Sequence, residues 1–194
     1  VKGGRMRLIV VDDESLIRMD LVDILEAAGH QVLAQGTNGV EAIALAKEYQ
    51  PDVILMDVKM PELDGIEAAR QISRQRLGPV VLLTAYSQED LVNKAKESGV
   101  YGYLIKPLRE EALIPALTMA MGRFQEEERA LDQIEALTHD LEEQKFIEEA
   151  KHIIRETYTL TEAEAYERIR TYAMKKQIKI GQVAHQIVKA AKNK

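Results

Sequence analysis

Two patterns of hydrophobic and polar positions alternate along residues 6–121. Short runs of β-branched and aliphatic residues, each bounded by polar or turn-forming residues, predict buried strands. Five such runs occur, at residues 7–11, 31–36, 52–58, 79–85 and 101–106. Apolar residues recur at helical spacing near residues 15–28, 39–49, 65–75, 88–98 and 109–121. Strands that alternate with helices in this way predict a parallel sheet covered by helices on both faces.

After this region, one apolar stripe continues through a highly charged segment. Residues 112–149 contain only one glycine, Gly122, and only one proline, Pro115 near the start. The stripe consists of Leu117, Met121, Phe124, Leu131, Ile134, Leu137 and Leu141. A long helix with one apolar seam is typical of a coiled coil, although Glu128 interrupts this seam. We therefore expect residues 122–146 to be a linker helix that pairs with a second copy. Packing of the helix against its own globular domain is the alternative.

Three shorter helical patterns complete the chain, over residues 147–194. Their apolar positions recur at helical spacing at Ile147, Ala150, Ile154 and Tyr158, then Ala165, Ile169, Tyr172 and Ala173, then Ile180, Val183, Ala184, Ile187 and Ala191. Thr161 followed by Glu164 is the sequence of a capping box and predicts the start of the second helix. Gly181 stands where a polar helix former is expected. Glycine is predicted to destabilise the third helix by roughly 1 kcal/mol relative to alanine. Small helices bury their stripes against one another, so we expect a compact three-helix unit.

The charge is divided unequally between these segments. The whole chain has a net charge of -6, but residues 147–194 hold ten Lys or Arg against six Asp or Glu, and no acid follows Glu167. A basic segment on an acidic protein favours a polyanionic partner, and a solvated helix face is the alternative on charge alone. The chain has no cysteine, which excludes disulfides and thiolate metal sites. No apolar run approaches the roughly 20 residues of a membrane span, so we expect a cytoplasmic protein that does not enter a membrane.

Unusual polar residues fall at the ends of four predicted strands. Asp12 and Asp13 end the first strand, Asp57 the third, Thr84 the fourth and Lys106 the fifth. Because the carboxyl ends of parallel strands meet at one edge of a sheet, these five side chains are expected to converge there. A single aspartate at a strand end is usually a turn former or helix cap. The combination of three carboxylates, a hydroxyl and an ammonium group points to chemistry.

Three carboxylates at one edge repel each other unless a cation lies among them. Mg²⁺ suits such a site, because it takes oxygen ligands and is often held by one or two carboxylates together with a phosphate. Asp57 would then act as a nucleophile on a phosphoryl donor and form an aspartyl-phosphate. Lys106 would pair with the phosphate oxygens, and Thr84 would donate its hydroxyl to one of them.

Residues 6–121 closely resemble a response-regulator receiver domain of two-component signalling. The matching features are Asp12-Asp13, Asp57, the sequence MPELDG at 60–65, Thr84-Ala85, Tyr103 and Lys106-Pro107. The resemblance implies a flavodoxin-like, doubly wound, five-stranded parallel sheet and phosphorylation of Asp57 by a sensor histidine kinase. It further implies that the backbone carbonyl of Lys59 is a metal ligand beside the aspartates, that the Lys106–Pro107 bond is cis, and that Tyr103 turns inward when Thr84 moves toward the phosphate.

The basic C-terminal segment has the composition of a nucleic-acid-binding module. Cations track phosphates, and aromatic or guanidinium planes stack on unstacked bases. The candidate RNA-binding residues are Lys151, Arg155, Arg170, Tyr172, Lys175, Lys176 and Lys179. Residues 147–190 resemble an ANTAR domain, the three-helix RNA-binding output of transcription antitermination regulators. The sequences IEEAKHII, TEAEAYERIRTYAMKK and KIGQVAHQIV carry this resemblance, the second most specifically.

By this resemblance, the protein binds paired hairpin loops in nascent mRNA and so prevents a terminator hairpin from forming. Phosphorylation would promote a homodimer through the coiled coil and the ANTAR region. A DNA-binding transcription factor is the first rival, with Gln182 and His185 as base readers, and a protein-docking output is the second. An enzymatic output is the least expected, because residues 147–194 carry no convergent nucleophile and base.

Overall fold

The computed structural model describes residues 4–85 and 99–192. Within these ranges the chain forms five strands, β1 (Arg7–Val11), β2 (Gln31–Gly36), β3 (Val53–Asp57), β4 (Val80–Thr84) and β5 (Gly102–Ile105). The helices are α1 (Ser15–Ala27), α2 (Gly39–Tyr49), α3 (Gly65–Arg74), α4 (Glu110–Tyr158), α5 (Glu162–Lys176) and α6 (Ile180–Lys192). The helix predicted at 88–98 lies outside the described residues.

The strands form one parallel sheet in the order β2-β1-β3-β4-β5. This order, with helices on both faces, is the flavodoxin-like doubly wound arrangement, so the predicted fold class is confirmed. Alternate residues of β1 enter different cores. Ile9 packs on one face with residues of α2 and α3, whereas Leu8 packs on the other with residues of α1 and α4. Burial on both faces explains why the central strands are continuous apolar runs.

The turn after β3 brings α3 against the carboxyl end of that strand. Asp64 caps α3, because its carboxylate accepts a hydrogen bond from the Glu67 backbone N–H at 2.9 Å. The backbone N–H of Gly65 donates to the Val58 carbonyl at 2.9 Å. A Cβ at position 65 would overlap the carbonyl group of Asp57. Only glycine allows the start of α3 to approach Asp57 this closely.

Gly65→Ala is expected to destabilise this unit by about 1–3 kcal/mol, because the collision is with backbone rather than with a movable side chain. The measurement is the free energy of unfolding in urea. Gly122→Ala is the matched control, since a Cβ at position 122 meets nothing within 4 Å and alanine is the better helix former. Equal stability of Gly65→Ala and the wild type contradicts the close approach.

The long helix α4 corrects the helix boundaries expected from the sequence. The predicted linker (122–146) and the first of the three small helices are one continuous helix, because no glycine or proline separates them. Its first turns belong to the sheet unit: Leu117 is fully buried there, and the Phe124 ring packs edge-on against Tyr101 at 5.4 Å between centroids. The chain divides into two compact units between Glu128 and Arg129, inside the predicted linker.

The second unit is built from the last part of α4 together with α5 and α6. Its core contains Ala150, Ile169, Ala173, Val183, Ala184 and Val188. The predicted capping box is present, with the Thr161 hydroxyl and the Glu164 carboxylate each bonded to the other residue's backbone N–H. Gly181 is buried in α6, where a Cβ would overlap the Glu143 side chain. The glycine that the sequence marks as a weak point thus leaves room for the Glu143 side chain of α4.

Among the described residues, none of the helices combines the length and the apolar character that crossing a membrane requires.

Candidate functional site

Lys106 joins two of the predicted carboxylates at the carboxyl edge of the sheet. Its Nζ atom lies 2.7 Å from Asp12 Oδ2 and 2.7 Å from Asp57 Oδ1. The second oxygen of Asp57 accepts a hydrogen bond from the Lys59 backbone N–H at 2.9 Å, and Asp12 Oδ1 accepts one from Glu14 at 3.0 Å. The convergence that strand order predicts is therefore present in the structure.

The site opens to solvent through a pocket of about 320 Å³. Its lining residues are Asp13, Glu14, Asp57, Val58, Lys59, Thr84, Ala85 and Lys106. The two neighbouring aspartates differ in position: Asp12 is completely buried, whereas Asp13 is exposed and lines the pocket. Glu14 also lines the pocket and was not predicted from the sequence, although it directly follows the aspartate pair.

Burial and charge act in opposite directions on the ionisable groups of this site. Burial raises the pKa of Asp57, and the hydrogen bond and charge of Lys106 only partly oppose this effect. The nearby carboxylate of Asp12 raises the pKa of Asp57 further. For Lys106, burial lowers the pKa, but its contacts with Asp12 and Asp57 outweigh burial and leave the pKa above its ordinary value. Lys106 therefore stays charged near neutral pH.

Asp57→Asn is expected to raise the midpoint of thermal unfolding at neutral pH in a buffer that contains a chelator. Since the pKa of Asp57 is raised above its ordinary 3.8, the folded state binds the proton more tightly than the unfolded chain does. Protonation of Asp57 therefore stabilises the folded protein at pH values below the pKa that Asp57 has in the unfolded chain. This stabilisation is lost as the pH rises through the pKa that Asp57 has in the folded protein. The gain from Asn should therefore shrink as the pH falls toward about 4. A variant that is less stable than the wild type at neutral pH contradicts this assignment.

The oxygen donors of the pocket fit a magnesium ion. Asp13 and Asp57 present carboxylates to the same opening, and Lys59, whose backbone carbonyl is the third predicted ligand, lines it as well. Hard oxygen donors in this number suit Mg²⁺, which keeps several of its waters. Both carboxylate oxygens of Asp12, the fourth predicted ligand, accept hydrogen bonds within the protein, one from the Glu14 backbone N–H and one from Lys106. Asp12 therefore orients Lys106 and the loop after β1, and it also adds negative charge to the site.

Three further predictions concern β4, β5 and the peptide bond that follows β5. Thr84 ends β4, is only 7% exposed and lines the same pocket as Asp57. Tyr103 on β5 is 48% exposed, so its ring is turned outward in this structure. The Lys106–Pro107 peptide bond is cis, as the resemblance implied.

Comparison with known proteins identifies both units. The family model described as the response regulator receiver domain matches residues 8–118, and the model described as the ANTAR domain matches residues 135–188. The chain belongs to the response regulators that join a receiver domain to an ANTAR domain. It is 38% identical to the transcriptional regulatory protein PdtaR of Mycobacterium tuberculosis (strain ATCC 25618 / H37Rv) over 182 residues, which cover 94% of this chain and 89% of the relative.

Solved structures agree with this assignment for the receiver domain. Chemotaxis protein CheY4 of Vibrio cholerae has a TM-score of 0.55 at 29% identity, covering 60% of this chain and 99% of that one. The receiver domain of sensor histidine kinase PA1611 from Pseudomonas aeruginosa PAO1 has a TM-score of 0.55 at 27% identity, covering 61% and 99%. That second structure has a magnesium ion coordinated in its active-site cleft.

ANTAR domains bind RNA, and the structure divides the predicted RNA-binding cations of this one into two groups. Lys151 contacts Glu148 at 2.9 Å and Glu162 at 2.6 Å, and its side chain is only 12% exposed. Ion pairs also hold Arg155 to Glu156 and Arg170 to Glu167. RNA would have to displace these acids before it could use the three cations, so their roles stay predictions.

The remaining predicted cations are accessible. Lys175, Lys176 and Lys179 are exposed and form no ion pair within the part of the chain that the structure describes. Tyr172 is 48% exposed. On α5 it lies three residues before Lys175 and four residues before Lys176, so the three side chains share one face of the helix.

Arg168 belongs to this face too, although it is not among the RNA-binding residues predicted from the sequence. It precedes Tyr172 by one helical turn, and its guanidinium carbon lies 4.1 Å from the centre of the Tyr158 ring. Because Tyr158 ends α4, only the fold reveals this pairing. The basic face of α5 therefore comprises Arg168, Tyr172, Lys175 and Lys176.

Proposed function

We propose that a sensor histidine kinase phosphorylates Asp57, and that the phosphorylated protein pairs and binds two hairpin loops in nascent mRNA. By holding that RNA structure, the protein prevents the formation of a terminator hairpin. The observation that carries this proposal is the Asp57 carboxylate, held by Lys106 and open to a pocket with oxygen donors, in one chain with an ANTAR domain. We further propose that the output domain is not an enzyme.

In the proposed input step, one carboxylate oxygen of Asp57 attacks the phosphorus of a phosphohistidine on the kinase. The new P–O bond forms as the P–N bond breaks, and the histidine leaves with the bonding electron pair. Lys106, already 2.7 Å from Asp57, is placed to pair with the transferred phosphoryl oxygens. A bound Mg²⁺ supplies charge neutralisation for these oxygens. Thr84, at the same pocket, can donate its hydroxyl to one of them.

The proposed pairing uses an apolar stripe on α4. Leu131, Ile134, Leu137 and Leu141 are between 39% and 63% exposed. The preceding members of the predicted seam, Leu117 and Phe124, pack in the receiver domain instead. The exposed remainder covers about three helical turns and suits a short coiled coil with a second copy. Two linked ANTAR domains gain avidity for two loops without any new contact.

Beryllofluoride, which imitates the phosphoryl group on an aspartate, tests this function directly. We expect the treated protein to sediment as a dimer and to bind an RNA with two hairpin loops about 100-fold more tightly than an RNA with one. Duplex DNA serves as the competitor and should not displace the RNA. A treated protein that sediments as a monomer, and binds the two RNAs equally, contradicts the proposal. Displacement by duplex DNA instead favours a DNA-binding transcription factor.

A further inference from the structure

A pocket of about 290 Å³, which we call the slot, is lined by residues of α5 and α6 of the ANTAR domain and by Ile154 of α4. Its apolar lining comes from Ile154, Ile169, Val183 and Ile187, of which Ile169 and Val183 are almost completely buried. Three exposed polar or aromatic side chains complete it, namely Arg168, Tyr172 and Gln186. A mostly apolar lining with a few polar groups is the usual form of a site for a small organic group.

The charge around the slot favours an anionic ligand. No acid is among its lining residues, and no acid follows Glu167 in the sequence. Lys175 and Lys176 lie one helical turn beyond Tyr172 and form no ion pair within the described ranges. A larger groove of about 620 Å³ between α4 and α6 differs in this respect, because Glu142 and Glu143 line it and would repel phosphates.

The two planar side chains at the slot are suited to stacking. Tyr172 lines the slot and is 48% exposed, so this aromatic residue is accessible to a ligand there. The guanidinium of Arg168 is held 4.1 Å above the Tyr158 ring, and this contact fixes a long side chain that would otherwise lose rotamer freedom on binding. Aromatic and guanidinium planes are the groups on which unstacked RNA bases lie.

We propose that this slot receives one unstacked base of the bound RNA. The base stacks on Tyr172, Gln186 reads its edge, and the neighbouring phosphates lie on Lys175 and Lys176. Adenine is the base expected, because the amide of Gln186 offers one donor and one acceptor, the pair that glutamine uses to recognise adenine. This inference rests on the proposed RNA binding and specifies which base chemistry the ANTAR domain selects.

The test measures how the full-length, beryllofluoride-treated protein binds a short oligoadenylate and an oligouridylate of equal length. We expect the wild type to prefer the oligoadenylate. Tyr172→Ala should lower its affinity by about tenfold or more, because stacking of one base contributes roughly 1–3 kcal/mol. Tyr172→Phe should retain most of the affinity. Gln186→Ala should reduce the preference for adenine while most of the affinity remains. Tyr166→Ala is the matched control, since Tyr166 is an exposed tyrosine of the same helix outside the slot.

The outcomes distinguish the slot from the proposed function. Equal affinities of the wild type for the two oligonucleotides, or equal effects of Tyr172→Ala and Tyr166→Ala, overturn the slot as a base-binding site. If Lys175→Ala and Lys176→Ala still weaken binding to hairpin RNA in that case, the proposed function stands. A wild-type protein that binds neither the oligonucleotides nor hairpin RNA overturns both.

Discussion

Asp57→Asn is expected to abolish phosphoryl transfer from the small-molecule donor acetyl phosphate, measured by mass spectrometry of the intact protein. An amide oxygen is a far weaker nucleophile than a carboxylate, and no aspartyl-phosphate can form at an asparagine. Lys106→Ala should retain Asp57 but lower the rate of phosphorylation by about 10²–10³, since it removes the charge that neutralises the transferred group. The two variants therefore separate the acceptor from the group that assists it.

Asp52→Asn is the matched control for this prediction. Asp52 lies just before β3, at the end of the strand opposite Asp57, and its carboxylate accepts a hydrogen bond from the Arg7 backbone N–H at 2.6 Å. The control should be phosphorylated at the wild-type rate. Phosphorylation of Asp57→Asn at that same rate would show that another residue is the acceptor and would contradict the assignment of the site.

Leu137→Glu is expected to keep the beryllofluoride-treated protein monomeric in sedimentation. Leu137 is 63% exposed in the middle of the apolar stripe, so the change should leave the fold of one chain intact. Pairing of two copies would bury two like charges at the seam, which is costly without partners. Affinity for an RNA with two loops should fall by about 10²–10⁴, the usual gain from linked sites, while affinity for a single loop stays constant.

Ala136→Glu provides the control for the stripe. Ala136 is an exposed residue of α4 that points away from the stripe, because it is displaced by about 160° from the middle of the apolar face. The control protein should pair and bind RNA as the wild type does. Pairing of Leu137→Glu at wild-type strength would place the dimer interface elsewhere on the protein.

The receiver fold and the arrangement of its site were predictable because they follow from simple periodicities. The apolar runs of β1, β3 and β4, bounded by turn-forming residues and alternating with helical patterns, are typical of buried strands in a parallel sheet covered on both faces. Once the strands are parallel, Asp12, Asp57 and Lys106 must meet at their carboxyl ends. The sequence does not show that Asp12 is buried beneath Lys106 while Asp13 lines the pocket. That difference depends on the path of the loop after β1.

The ANTAR domain was less predictable in detail. Helix periodicity reveals its apolar positions, but not that its first helix continues α4 without a break. Composition identifies the basic residues, but their ion pairs depend on how the helices pack. Lys151 is neutralised by Glu162 of the following helix, and Arg168 is positioned by Tyr158 at the end of the preceding one. Contacts between residues of different helices cannot be derived from charge alone.

In the proposed function, phosphorylation of Asp57 controls RNA binding by the ANTAR domain. The decisive measurement is pull-down of the protein from cells, followed by sequencing of the bound RNA, for the wild type and for Asp57→Asn. We predict that the wild type enriches mRNA leaders with two neighbouring hairpin loops, and that Asp57→Asn loses this enrichment. Equal enrichment of the same leaders by both proteins would show that RNA binding does not depend on Asp57.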